Sequence, residues 1–250
     1  MELADRITAA SLEGERVRAG VVEGGEVVEV KGLLVALSNL PQPELNGTRV
    51  IREPNDPLAA IDAAREVFRS RGHPFFGIEI EVGRHPRIDA AVRGLGFRRA
   101  EAMPAMAAGT ATLPGIETPD GVEIRMVREA AGLDALRAIE IETFGTPPAI
   151  AERFVGERML ADDRIRMLVA WIGDEPVGEA TAYLLDGTVG IFGVGVVPAL
   201  RRRGIGAALT VSAARAFDVA LAWLQPSDMA RPLYERLGFR AVSEWEVWIA

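Results

Sequence analysis

The chain contains no cysteine among its 250 residues. This absence excludes disulfide bonds, thiolate metal sites and a cysteine nucleophile. Histidine occurs only at His73 and His85, without the spacing of metal ligands, so we predict no metal site. Since neither histidine lies in the second half of the chain, that half holds no Ser-His-Asp set for nucleophilic catalysis.

Positive charge and long hydrophobic runs are also scarce. The 28 basic residues are outnumbered by 36 acidic ones, and the net charge of −8 disfavours a nucleic-acid partner. The longest nearly continuous apolar run, 189–200, is glycine-rich and too short to span a bilayer, so no membrane partner is expected. The charged N-terminus lacks the apolar core of a signal peptide, which favours a cytoplasmic protein.

What the chain does contain is an arginine-rich turn between an apolar strand and a helix. The run V-G-V-V-P-A-L-R-R-R-G-I-G-A-A-L occupies residues 194–209. The first N–H groups of a helix have no intrahelical partner and lie at the positive end of its dipole, and glycines let the backbone approach a ligand closely. With Arg201, Arg202 and Arg203, these features predict a site for a small anion such as a phosphate or pyrophosphate.

Two motifs in this region resemble those of the GCN5-related N-acetyltransferase (GNAT) superfamily. The segment R-x-x-G-x-G at 201–206 resembles the family's R/Q-x-x-G-x-G/A signature and follows a predicted strand. The segment S-x-x-A-x-x-L-Y-E-R-L-G-F at 227–239 resembles N-x-x-A-x-x-L-Y-x-x-x-G-F, with Ser227 where asparagine is usual. The resemblance covers roughly residues 121–250. It implies acetyl-CoA as the co-substrate and an amine as the acceptor, with no metal.

The resemblance also implies roles for individual residues. Tyr234 occupies the family's general-acid position, and its ordinary pKa near 10 keeps it protonated at neutral pH. A strand N–H near Val194 or Val196 could stabilise negative charge on the thioester oxygen. The residues assigned to the acyl-CoA site are Val194, Val196, Arg201, Arg202, Arg203, Gly204, Ile205, Gly206, Ala207 and Ser227.

The sequence leaves the general base open. The strand before the arginine turn holds no carboxylate, although many family members keep a glutamate there. Glu140 shares the predicted apolar face of a helix with Leu133, Leu136 and Phe144, where a carboxylate is costly unless it is paired or functional. We therefore predict that Glu140 contacts the acceptor amine or acts as the base, although near the helix end it could simply reach water. Glu179, a chain of waters, or an amine that arrives neutral are the alternatives.

The first half of the chain resembles the second half in sequence. The segment A-V-R-G-L-G-F-R at 91–98 resembles L-Y-E-R-L-G-F-R at 233–240, which lies 142 residues later. At the same offset the alternating strand 78–82 falls near the apolar run 220–224. Self-similarity of this kind indicates a duplicated unit, the alternative being a chance recurrence of L-G-F after a helix.

We therefore predict an α+β protein with two GNAT-like domains, each with a mixed, mostly antiparallel central sheet flanked by helices. The predicted domains are 1–110 and 120–250, joined by a Pro/Gly/Thr-rich linker over 109–121. The predicted order of elements in the second half, β-α-α-β-β-β-α-β-α-β, is the order found in the family.

The first half lacks the residues that the chemistry needs. The segment R-E-P-N-D-P at 52–57 has no Gly-x-Gly, carries two carboxylates, and contains two prolines without N–H groups. We predict a helix over 57–70 that begins with Asp56 as N-cap and Pro57 in its first turn. Val92 stands where Tyr234 stands in the second half. The first half is therefore expected to bind no acyl-CoA and to be structural or to line the acceptor site.

The predicted function is transfer of an acetyl group from acetyl-CoA to an amine of a small molecule, or of a peptide or protein. Resemblance to the family implies direct attack in a ternary complex, without a covalent enzyme intermediate. Two alternatives stay open: a non-catalytic acyl-CoA sensor, and an acetyltransferase similar to mycothiol synthase, which is also a tandem GNAT protein. The sequence does not identify the acceptor and leaves a homodimer open.

Overall fold

The structure, a computed structural model, describes residues 2–42, 45–73 and 75–250. It confirms the α+β prediction. The helices are α1 (Leu3–Val21), α2 (Pro57–Ser70), α3 (Pro86–Gly94), α4 (Ala130–Phe144), α5 (Pro148–Phe154), α6 (Glu157–Ala161), α7 (Ile205–Ala214) and α8 (Arg231–Leu237). The strands are β1 (Glu26–Val30), β2 (Leu33–Leu37), β3 (Gly47–Val50), β4 (Gly77–Glu81), β5 (Arg98–Gly109), β6 (Val122–Met126), β7 (Ile165–Ile172), β8 (Glu175–Leu185), β9 (Thr188–Val196), β10 (Leu221–Leu224) and β11 (Arg240–Ile249).

The chain divides into two compact units, each named here after the sequence half that supplies most of it. The second-half unit contains the chain up to Ser11 and Met106–Ala241, and the first-half unit contains Leu12–Ala105 and Val242–Ala250. The predicted ranges 1–110 and 120–250 follow the duplication in the sequence, and the units differ from them at the ends. The reason is strand pairing, because the last strand of each half contributes to the unit formed mainly by the other half.

The second-half unit contains strands in the order β6-β7-β8-β9-β10-β5. Its neighbours are antiparallel except for β9 and β10, which run parallel. The end of β5, from Met106 to Gly109, pairs with β10. The result is the mixed, mostly antiparallel sheet that the sequence predicted.

The first-half unit repeats this arrangement with the order β1-β2-β3-β4-β11-β5. Here β3 and β4 are the parallel pair, and β11 runs antiparallel to β4, with Trp245 opposite Glu81. The parallel pair and the borrowed antiparallel strand therefore occur at the same places in both units. This agreement in fold supports the duplication inferred from the sequence echo.

Each unit has its own core. In the second-half unit, α7 lies close to the sheet because Gly178 has no side chain; a Cβ there would come 2.9 Å from the Gly195 carbonyl oxygen and 3.0 Å from Leu209 Cδ1. In the first-half unit, the helical spacing of Leu58, Ile61, Ala64 and Phe68 predicts the buried face of α2, and Ile61, Ala64 and Phe68 are buried there together with Ala60. The prediction was wrong for Leu58, which is 52% exposed.

Two local predictions need correction. The sequence after Pro147 and Pro148 predicts one helix over 149–160, but the structure has two, α5 and α6, separated by Val155 and Gly156. The predicted linker also has defined structure at its start, where Thr110 Oγ1 donates a hydrogen bond of 2.6 Å to the Val219 carbonyl. Among the described residues, no helix combines the length and the apolar character needed to cross a membrane.

Candidate active site

Strand β9 carries a bulge next to the predicted acyl-CoA site. In its pairing with β8, Glu179 lies opposite Gly195 and Thr181 lies opposite Phe192, so β9 has one residue more than β8 between these pairs. Gly193 adopts a φ of +60° there, a conformation that glycine reaches without a steric penalty. An extra residue of this kind is left outside the regular ladder, which separates the strands locally and frees backbone groups beside Val194.

The arginine turn follows the end of β9. Arg202 and Gly204 have φ values of +60° and +88°, and these left-handed residues turn the chain into α7. The Arg201 Nε donates a hydrogen bond of 3.0 Å to the Val196 carbonyl, which ties the turn back to the strand. All three arginines are exposed at the surface.

The start of α7 presents unsatisfied backbone donors. Its first helical hydrogen bond runs from the Ala208 N–H to the Gly204 carbonyl at 3.1 Å, so the three preceding N–H groups have no acceptor within the helix. The Ile205 side chain is buried in the core, and only its backbone is available for a ligand. A Cβ on Gly206 would lie 3.6 Å from Leu233 Cδ2 and 3.7 Å from Val196 Cγ2, which is ordinary contact.

The structure thus brings nine of the ten predicted acyl-CoA residues to one place, at the end of β9, the turn and the first turn of α7. Ser227, the tenth, lies exposed in the loop before α8, where its carbonyl accepts hydrogen bonds of 3.0 Å from the N–H groups of Ala230 and Arg231. Its backbone therefore shapes the approach to α8.

Tyr234 lies on α8 with its ring in the core. It is 6% exposed, and its ring packs edge-on against Phe239 with 6.0 Å between the ring centroids. Burial disfavours the phenolate and raises the pKa of Tyr234 to about 12. The side chain therefore stays protonated throughout the neutral range.

Helix α4 crosses the bulged part of β9 and carries Glu140. The predicted face is correct for Leu133 and Leu136, which are each 1% exposed, but wrong for Phe144, which is 50% exposed. Glu140 is mostly buried, and its Oε2 accepts a hydrogen bond of 3.0 Å from Thr146 Oγ1. Burial raises the pKa of Glu140, while this hydrogen bond opposes the rise.

Glu179 on β8 is more strongly perturbed than Glu140. It is 2% exposed, and its Oε1 is buried without a hydrogen-bond partner among the described residues. Burial raises the pKa of Glu179 well above its ordinary value, and the negative charge of Glu140 raises it further. The sequence analysis named Glu179 only as an alternative base. The sequence feature that indicates it is a charged residue between two small ones, Gly178 and Ala180, within the apolar strand β8.

Comparisons with known proteins agree with this geometry. The model of the Acetyltransferase (GNAT) family matches residues 133–239, which include most of α4, β9, the arginine turn, α7 and Tyr234. None of the curated proteins matches the sequence.

Solved structures with the same fold cover nearly the whole chain. A GCN5-related N-acetyltransferase from Kribbella flavida aligns with a TM-score of 0.75 at 23% identity, over 96% of this chain and 95% of that one. A functionally unknown conserved protein from Staphylococcus epidermidis aligns with a TM-score of 0.70 at 17% identity, over 90% and 93% of the two chains. A tandem GNAT protein from the clavulanic acid biosynthesis pathway aligns with a TM-score of 0.64 at 16% identity, over 88% and 78%.

These alignments extend the likeness in fold to both units, including the tandem layout. Among the described residues, there is no cluster of three or more His, Asp or Glu side chains able to hold a metal ion. Residues 133–239 are therefore similar in sequence to the Acetyltransferase (GNAT) family, and the solved structures share its fold over most of the chain.

Proposed function

We propose that the protein transfers the acetyl group of acetyl-CoA to an amine, by direct attack within a ternary complex. The observation that carries the proposal is the start of α7, where free N–H groups, a left-handed Gly204 and three exposed arginines occur together. This combination fits the diphosphate of CoA, because backbone donors at a helix N-terminus and guanidinium groups both bind phosphate oxygens. Acetyl-CoA would supply the acetyl group there as a reactive thioester.

The residues around this start have separate tasks in the proposed reaction. Bulged backbone beside Val194 offers N–H groups that can hold the thioester oxygen as it gains negative charge. Tyr234 holds a proton on Oη, since its pKa is raised to about 12, and can donate it to the leaving sulfur. Glu140 faces the same bulge from α4: its Oε1 lies 4.0 Å from the position that a Cβ on Gly193 would take. The proposed acceptor is the amine of a small molecule.

Binding of acetyl-CoA tests the proposal directly. We expect calorimetry to give one site per chain in the wild type. Gly206→Glu should weaken binding by on the order of 100-fold, because a carboxylate in the first turn of α7 repels the diphosphate. Gly206→Ala is the matched control and should bind normally, since a Cβ at this position makes only ordinary contacts at 3.6 Å and 3.7 Å.

Each other outcome would change the proposal in a defined way. Absence of acetyl-CoA binding in the wild type would exclude an acetyltransferase. Two sites per chain would contradict our proposal that the first half binds no acyl-CoA. Tight binding without release of free CoA in the presence of any amine would favour a sensor over an enzyme.

A further inference from the structure

Three polar side chains from α4 and β8 converge on the bulge of β9. Glu140 lies against Gly193, as described above. Thr143 lies against the next glycine of β9, since its Cγ2 would be 3.0 Å from a Cβ on Gly195. Glu179 is the direct partner of Gly195 in the strand register. The two glycines thus bring two carboxyl groups and a hydroxyl to one short stretch of backbone.

Two of these side chains have buried polar atoms without a hydrogen-bond partner in the part of the chain that the structure describes. They are Glu179 Oε1 and Thr143 Oγ1. A buried carboxylate without a cation or donor costs several kcal/mol, so a position of this kind is retained only where something offsets the cost. The pattern points to a ligand that brings its own positive charge and N–H donors.

The neighbouring elements do not supply that charge from within the chain. Strand β9 contains no ionisable residue. On β7, the Arg166 guanidinium lies over the Phe217 ring, 5.0 Å from its centroid. On α4, Arg137 donates to Asp134 at 2.8 Å and to the Val155 carbonyl at 3.0 Å. The charged group that acts on Glu179 is Glu140, which has the same sign.

We propose that Glu140 and Glu179 bind the acceptor as an alkylammonium ion and that Glu179 Oε1 removes its proton. This inference rests on the proposed acetyltransferase function and narrows its acceptor to a basic aliphatic amine. An arylamine, which is neutral at physiological pH, would gain nothing from two buried carboxyl groups.

The protons in this step balance. Burial raises the pKa of both carboxyl groups and the charge of Glu140 raises that of Glu179 further, which favours one shared proton on the free pair. The entering ammonium ion cancels the repulsion and releases that proton to solvent. The ammonium then transfers one proton from nitrogen to Glu179 Oε1, which leaves a neutral amine with a free electron pair and returns the carboxyl pair to its starting state.

Two acceptor probes test the inference. n-Butylamine is an ammonium ion at pH 7.5, whereas methoxyamine is neutral and needs no base before it attacks. Glu179→Gln should lower kcat/KM for n-butylamine by about 100-fold and leave methoxyamine within about threefold. In this variant the n-butylamine rate should rise about tenfold per pH unit, as the free amine increases. Glu142→Gln is the matched control, an exposed glutamate on the same helix, and should change neither rate.

The outcomes separate this inference from the proposed function. Equal losses for both acceptors in Glu179→Gln would overturn the inference and make Glu179 a structural residue. Acetyl-CoA binding without acetylation of n-butylamine would also overturn it, while the donor site would stand. Absence of acetyl-CoA binding would remove the proposed function together with the inference. A melting temperature of Glu179→Gln at or above that of the wild type would show that the lost activity is not lost folding.

Discussion

The two units treat buried carboxyl groups in opposite ways. In the first-half unit, Glu15 pairs with Arg18 at 2.6 Å and Arg49 at 3.1 Å. Burial acts to raise the pKa of Glu15, but the two arginines outweigh it and hold the pKa below its ordinary value. In the second-half unit, Glu179 faces another carboxyl group instead, and its pKa is raised well above the ordinary value. One unit uses buried charge to hold its fold together, and the other keeps it at a cost that is typical of functional sites.

The equivalent helices of the two units begin in opposite ways as well. Helix α2 starts with Asp56, whose Oδ1 accepts a hydrogen bond of 3.0 Å from the Ala59 N–H, and with Pro57, which has no N–H. Helix α7 starts with Gly204, which cannot cap the helix with a side chain. The first half therefore satisfies its own helix terminus, whereas the second leaves donors for a ligand. This contrast supports the prediction that the first half binds no acyl-CoA.

Removing Glu15 should produce the largest change in stability. Glu15→Gln removes the carboxylate that Arg18 and Arg49 share, while Arg49 keeps its 2.6 Å ion pair with Glu79, and we expect it to destabilise the first-half unit by about 2 kcal/mol at pH 7. Because the folded-state pKa of Glu15 is lowered, its stabilisation is present above pH 4.5 and is lost as the pH falls through the folded pKa. Hydrogen exchange, followed in each unit as a function of pH, measures both effects.

Glu179→Gln should change the stability of the second-half unit in the opposite direction. The raised folded-state pKa makes wild-type stability fall as the pH rises above 4.5 and through the folded pKa. The variant should therefore be more stable than the wild type at pH 8, and the gain should disappear below pH 4.5. If Glu15→Gln and Glu179→Gln changed stability in the same direction at neutral pH, the contrast drawn between the two units would be wrong.

The two halves also differ at the proposed acetyl-CoA site, because Val92 in the first half occupies the position that corresponds to Tyr234. Tyr234→Phe keeps the buried ring and removes the proton on Oη. We expect kcat to fall by about 100-fold with unchanged affinity for acetyl-CoA, measured by release of CoA and by calorimetry. An unchanged kcat would leave Tyr234 as a packing residue, and a fall in affinity alone would assign it to binding.

The smallest effect is expected at the start of α2. Asp56→Ala removes the cap and should destabilise the first-half unit by about 1 kcal/mol. Asp56→Asn keeps a side-chain acceptor for the Ala59 N–H and is the matched control, with little expected loss in urea denaturation. Neither substitution should alter the affinity for acetyl-CoA, and an altered affinity would contradict the separation of tasks between the halves.

Local patterns predicted the site best where its residues are close in the sequence. Arg201 to Ala207 form one continuous turn and helix start, so their conformation depends mainly on glycine, proline and the strand that precedes them. The cap of α2 is local for the same reason. Predictions from periodicity were weaker at element ends, as Leu58 and Phe144 show, because exposure there depends on what packs over the helix.

The acceptor end of the site was harder to foresee. Glu140 and Glu179 lie on different elements, and their relation follows from one extra residue in β9 and from α4 crossing it. A bulge changes which side chains lie opposite each other, and alternation along a single strand does not report it. The sequence therefore suggested both residues as candidates without indicating that they lie together at the bulge of β9.

The sequence by itself determined the α+β fold, the duplication and the glycine- and arginine-rich start of α7, since these depend on periodicity and on contiguous residues. Only the tertiary structure decided that β11 pairs with β4 and that the end of β5 pairs with β10, so that the last strand of each half completes the other unit. The tertiary structure likewise decided that Glu179 is buried opposite Gly195, with its Oε1 lacking a hydrogen-bond partner among the described residues. The physical reason is common to both: strand pairing and burial depend on contacts between residues far apart in the chain.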